Sequence, residues 1–192
     1  MASVFDDILT SGVRAGVIPA RTQQARDWFR GMASGVGAAK VDPSNILREY
    51  EHKASTPQIG QMYHFRYNPK LKDILPFYDT FPLIFMVGPA EGGFYGINLH
   101  YLPLGARAAL MDALYETANN KKYDSSTKLR ISYDILNKAA RFRLFKPTFK
   151  HYLNDFVRSR FIEIQPSDWD TALFLPTERF KKANKKQVWS SI

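Results

Sequence analysis

Two of the four histidines, His64 and His100, fall on segments that read as neighbouring strands, with Asp79 between them in the chain. A facing imidazole pair beside a carboxylate could hold a metal ion or pass a proton. The other two, His52 and His151, stand alone, and no H-x-x-x-H or comparable ligand spacing joins any of the four. Histidines at the edge of an aromatic sheet more often serve as hydrogen-bonding groups, and that is the expectation here. The acids are scattered. Glu163 with Lys150 and Asp155 is the one grouping a metal-dependent nuclease could use, and its spacing matches no known arrangement. Asp168, ahead of Trp169 and Asp170, reads as a turn or helix cap. The run Gly92-Gly93-Phe94-Tyr95-Gly96 has the glycines of a phosphate loop. It lacks the lysine of G-x-x-x-x-G-K-[ST] and lies between two strands, so a hairpin turn is expected, with Gly96 marking a bulge or a close backbone approach. No catalytic residue, metal ligand or cofactor is assigned.

The bases make a stronger pattern. The net charge is +9, and it is uneven. Residues 1–58 carry 7 bases and 6 acids, residues 59–140 carry 9 and 7, and residues 141–192 carry 11 and 5. Arg141, Arg143, Lys146 and Lys150 alternate with Phe142, Phe145 and Phe149. Arg158 and Arg160, two apart, share one side of an extended segment. Lys181, Lys182, Lys185 and Lys186 repeat at i, i+4 spacing beside Arg179, as a basic stripe on a predicted terminal helix or tail. These eleven residues are the candidate nucleic-acid-binding set. Such a face neutralises phosphates without reading sequence. Rings between bases also occur in single-strand and DNA-end platforms, although the spacing of most of these rings matches buried helix faces. The same field would attract an acidic protein face.

A chain of 192 residues suits one domain with appendages, and 45% hydrophobic residues can bury a real core, rich in rings at 14% aromatics. The absence of cysteine removes disulfides, thiolate metal sites and cysteine nucleophiles, and fits a reducing compartment. No apolar run is long enough for a membrane span, and Asp6 and Asp7 stand where a secretory signal needs bases.

Residues 1–45 read as an extended helical arm and a Gly/Ala/Ser-rich linker. Phe5, Arg21, Arg26, Trp28, Phe29 and Arg30 make it a candidate protein-docking segment, the alternative being that it packs on its own domain. Residues 46–176 form the expected core domain and 177–192 the basic tail. A short helix is predicted over 44–53, capped by Ser44. In the strand that follows, Tyr63, Phe65 and Tyr67 share one face, with Met62, His64 and Arg66 on the other. Phe81–Val87 reads as a strand buried on both faces. The next strand sends Tyr95, Ile97, Leu99 and Tyr101 one way and Phe94, Gly96, Asn98 and His100 the other. A helix from Leu104 to about Thr117 should turn Ala106, Leu110, Ala113, Leu114 and Thr117 inward. Another helix is predicted over 125–141, and a third opening at Pro147 with Phe149, Leu153, Phe156 and Val157 inward. The order implies α+β: a small curled antiparallel sheet or SH3-like barrel with packed helices.

Four strings have a further meaning together: Tyr-His-Phe-Arg-Tyr-Asn-Pro-Lys at 63–70, Leu-Pro-Phe-Tyr-Asp-Thr-Phe-Pro-Leu at 75–83, Gly-Phe-Tyr-Gly-Ile-Asn-Leu-His-Tyr-Leu-Pro at 93–103 and Trp-Asp-Thr-Ala-Leu-Phe-Leu-Pro at 169–176. As a set they resemble small virion proteins of T4-type tailed phages, in particular the DNA end protector family, over roughly residues 59–190. The strings hold fold-determining rings and turns, with no catalytic residues to transfer. The resemblance implies a non-enzymatic virion or assembly component, assembled in the host cytoplasm. It would dock to other phage structural proteins as an oligomer or hetero-assembly, and bind double-stranded DNA ends through its basic C-terminal face. The alternatives are a baseplate, neck or tail component without DNA contact and, further off, a nuclease.

Overall fold

A computed structural model describes residues 23–118, 134, 135, 138 and 145–191. Six antiparallel strands form the main sheet: β1 (Lys53–Ala54), β2 (Met62–His64), β4 (Leu83–Ala90), β5 (Gly93–Asn98), β6 (Phe149–Leu153) and β7 (Phe161–Ile164), in the order β1-β7-β2-β4-β5-β6. A second, two-stranded sheet pairs β3 (Tyr78–Asp79) with β8 (Phe180–Lys181). The fold is α+β, and among the described residues the six-stranded sheet is open rather than closed into a barrel.

The β4–β5 hairpin closes where the glycines require it. Ala90 pairs with Gly93, and Gly92 between them has φ +68, a left-handed conformation that glycine adopts without steric penalty. Gly96 serves close approach. A Cβ there would lie 2.6 Å from the Ile84 side chain, while the register shift of the ladder falls on the partner strand between Met86 and Gly88. Asn98 ends β5 because its side chain accepts the His100 N–H, turning the chain into a 3-10 turn over Leu99–Tyr101.

The sheet is buried on both faces. One side packs Met62, Leu83, Phe85, Ile97 and Ile164 under helices α2 (Pro43–Glu49), α3 (Leu104–Ala118) and α4 (Trp169–Phe174). The other buries rings: Tyr63, Phe65, Tyr67, Phe94, Tyr152 and Phe161, with Phe65 in edge-to-face contact with four of them. The alternation expected along 62–67 is the alternation found. Helix α2 starts at Pro43, with Asp42 rather than Ser44 as its cap; the Asp42 carboxylate accepts the Ser44 N–H.

Several elements differ from expectation. After a 3-10 turn at Lys146–Thr148, residues 149–153 form β6 against β5 rather than a helix. The apolar spacing of Phe149, Leu153, Phe156 and Val157 is helical, but β5 offers an unpaired edge that this aromatic segment completes. On α3 Leu110 and Leu114 are buried as expected, together with Arg107, Met111 and Tyr115, while Ala106 packs half-buried against the same core and Ala113 is half-buried. The basic tail is not one helix. Lys181 lies in β8, Lys182 has φ +69, and α5 begins only at Lys185 and ends at Ser190, so the lysines form no i, i+4 stripe. A capping box between Asn184 and Gln187 fixes that start. The helix predicted over 125–141 lies outside the described residues, apart from helical 134, 135 and 138.

Described parts of the arm and of the tail contact the 46–176 unit. Helix α1 (Gln23–Gly35) packs on α4, and the tail buries Val188 and pairs through β8.

Candidate functional site

The two histidines do come together. Their rings are 6.2 Å apart, edge to face, but their nitrogens do not converge. His64 donates Nδ1–H to the Pro82 carbonyl at 3.0 Å, and its buried Nε2 has no partner among the described residues. His100 donates Nδ1–H to Asp79 at 2.6 Å and accepts at Nε2 from the Thr177 hydroxyl at 3.0 Å. Among the described residues no group of three or more His, Asp or Glu could hold a metal ion.

Carboxylate, imidazole and hydroxyl in that order have the connectivity of a nucleophilic triad. All three are buried, Thr177 at 2% exposure, so no substrate carbon reaches the hydroxyl. The Asp79 carboxylate is filled on both oxygens: by the Phe81 and Arg179 N–H groups on one, by Asn98 and His100 on the other. Burial alone would raise its pKa; the His100 ring and these hydrogen bonds outweigh burial and hold it below the ordinary range. The trio therefore fastens the start of the tail to the sheet.

His64 carries a testable consequence. Burial, helped by the neighbouring His100, pushes its pKa from 6.5 down to about 4. The unfolded chain binds this proton below pH 6.5 and the folded chain does not. Folding stability is thus fully present above pH 6.5 and falls as the pH drops towards 4, by about 3 kcal/mol from this group. Denaturant unfolding at several pH values should show that loss, and His64→Gln should flatten it.

The candidate bases divide into two groups. Several are held within the fold. Arg30 donates Nε–H to Asp170 at 2.8 Å and Nη2–H to Asp112 at 2.8 Å, and is 6% exposed. Arg26, also buried, pairs with Asp112 and lies over the Tyr115 ring. These two arginines, expected to dock a partner, instead hold α1 to its own domain; Trp28 is half-buried. Arg179 donates to the carbonyls of Pro176, Glu178 and Val41, joining the tail to the linker. Lys185 pairs with Glu178. Phe5, Arg21, Arg141, Arg143 and the Phe29 side chain lie outside the described residues.

The second group faces solvent. Lys146, Arg160, Lys181 and Lys186 are exposed and no acid of the described chain pairs with them. Exposed Arg158 donates to the Asp155 and Val157 carbonyls, and its N–H meets the Arg66 carbonyl, so Arg66, Arg158 and Arg160 share one turn beside Tyr67. Lys182 donates to the carbonyls of Asp73 and Leu75, holding the loop over 69–77 that carries Lys70 and Lys72. The sequence reading missed Arg66, Lys70 and Lys72. Their signal was chain position next to strand ends, which becomes informative only once β8 is seen to pair with β3.

Between that loop and β6 lies a cavity of about 300 Å³, walled by Tyr67, Phe77, Tyr101 and Tyr152. Lys150 enters it, its Nζ 4.1 Å from the centre of the Tyr101 ring. The proposed grouping of Lys150 with Glu163 does not form. Glu163 is on β7, and β2, β4 and β5 lie between the two strands, a separation of roughly 19 Å at the usual strand spacing.

An α+β protein with exposed cations along one loop, one turn and its tail is thus in hand, and comparison with known families gives its kind. Residues 16–192 match the family model of the Phage T4 terminal DNA protecting protein. The match spans most of the chain, and the chain belongs to that family. No curated protein and no solved structure matches it. Among the described residues no helix is long and apolar enough to cross a membrane.

Proposed function

We propose that the protein caps double-stranded DNA termini as a non-enzymatic component of a T4-type virion, assembled in the host cytoplasm. The family match carries the reading, and the distribution of charge supports it. The acids at the ends of the fold are engaged by Arg30, Arg26, His100 and Lys185, whereas exposed Lys70, Lys181, Lys186 and Arg160 and half-buried Lys72 have no carboxylate among the described residues. Cations free of internal partners are those that release counterions when they meet phosphate. The closed Asp79–His100–Thr177 trio, whose hydroxyl no substrate can approach, supports the non-enzymatic reading. Docking to other phage proteins belongs to the same proposal; exposed Leu71 and Ile74, 54% and 76% accessible, offer an apolar contact on the 69–77 loop.

Affinity for linear duplex DNA, measured over a series of salt concentrations, tests the reading. Each phosphate neutralised contributes about −0.9 to the slope of log K against log salt. We expect a slope of about −3 to −6, reduced by about 3 when Lys70, Lys72, Lys181 and Lys186 are changed together to alanine. Absent binding at low salt, or binding indifferent to salt, contradicts the DNA role and leaves a purely structural component whose lysines serve protein contacts.

A further inference from the structure

We propose that the cavity between the 69–77 loop and β6 receives the terminal nucleotide of a DNA strand, its base against the tyrosine and phenylalanine walls and its phosphate on Lys150 and Lys70. This rests on the end-capping reading and gives it a site.

Lys150 is the reason. Its ammonium has three donors, yet no carboxylate or carbonyl of the described chain accepts from it, and it faces only the ring of Tyr101. Lys150 is half-buried, and desolvation lowers its pKa to about 8. A structural lysine would find a carboxylate or extend to solvent. The nearby Asp79 does not serve, because all its hydrogen-bonding capacity is directed to His100, Asn98 and two backbone N–H groups. An anion brought in from outside completes the site. The remaining walls are ring surfaces, two of them fixed by their hydroxyls: Tyr67 accepts the Leu153 N–H, and Tyr152 accepts from Asn98. Base–aromatic stacking is sequence-tolerant, as recognition of an arbitrary terminus requires.

Size and position select a terminal unit. About 300 Å³ sits at the small end of ligand sites and excludes a duplex. A terminal base is stacked on one side only, so moving it out of the helix costs less than flipping an internal one. Lys70 on the loop, with Lys181 on the neighbouring strand β8 and Lys182 just after it, lies where the adjoining backbone would run.

The test compares a short blunt duplex with the same duplex closed at both ends by hairpin loops, using the full chain. The wild-type protein should prefer the open duplex. Lys150→Met, which keeps the stem and removes the charge, should reduce that preference by about 10-fold or more. Lys70→Ala, on an exposed loop, should reduce it less, and keeps the test valid should the first variant fold poorly. In the unaltered protein, the open duplex should shield Lys150 from amine acylation and the closed one should not. A preference for open ends that survives both substitutions, with Lys150 unshielded, overturns the pocket and leaves end capping standing. Equal binding of open and closed duplexes, or binding of neither, overturns end capping and the pocket with it.

Discussion

Arg30→Met should destabilise the protein by about 3–5 kcal/mol, the usual consequence of removing one partner from a buried ion pair. Asp170 is the residue left behind. Its side chain is 2% exposed, and burial already raises its pKa despite the arginines facing it. That rise means the intact pair is no large net gain; the penalty of the variant comes from a stranded carboxylate, which must protonate or draw in water. The double variant Arg30→Met, Asp170→Leu should therefore recover most of the loss, because it strands no buried carboxylate, and Asp112, 38% exposed, still pairs with Arg26. Denaturant unfolding of the two variants decides the matter. A mild single variant would mean that α1 contributes little to the fold.

Arg107→Leu should lower stability by about 2–6 kcal/mol and loosen the tail. The guanidinium is 1% exposed and donates to the carbonyls of Leu102, Leu173 and His100 at 2.8, 2.7 and 3.1 Å. It joins the 3-10 turn after β5 to α4 and lies over Trp189, whose indole N–H also meets the His100 carbonyl. Two effects oppose each other. Burial lowers the pKa of Arg107 to about 10, so removing the charge relieves desolvation. Leucine, however, leaves the Leu102 and Leu173 carbonyls without their side-chain donor, at about 1–3 kcal/mol each, and that decides the sign. Trp189 fluorescence should report release of the tail at denaturant concentrations below global unfolding. Simultaneous loss of tail and core would show that the tail is no separate unit.

Those two arginines also show what a sequence can disclose. Arg107 precedes Leu110, Met111 and Leu114 at helical spacing, so its inward position was legible in principle; its charge argued for solvent, and only the three carbonyls explain it. Arg30 is harder, since Asp170 is 140 residues away and no periodicity links them. The aromatic strand of Tyr63, Phe65 and Tyr67, the apolar run at 81–87 and the glycine hairpin were readable because each is set by local alternation or turn chemistry. Strand β6 was not, because pairing with β5 overrode a helical spacing of apolar residues. The lysine tail misled for the same reason: β8 forms only because β3 lies beside it, and that pairing breaks the stripe into a strand and a short helix. Of the candidate site, charge and its C-terminal bias were visible. Which cations remain free, and that Lys150 turns into a ring-lined cavity, depended on tertiary contacts alone.

The most direct test of the central claim counts protein molecules on blunt linear duplexes of increasing length by mass photometry at physiological salt. A protein that grips termini gives the same small number on every length, one at each end, and none on a covalently closed circle. Occupancy that grows in proportion to length, with circles bound as well as linear molecules, would contradict it.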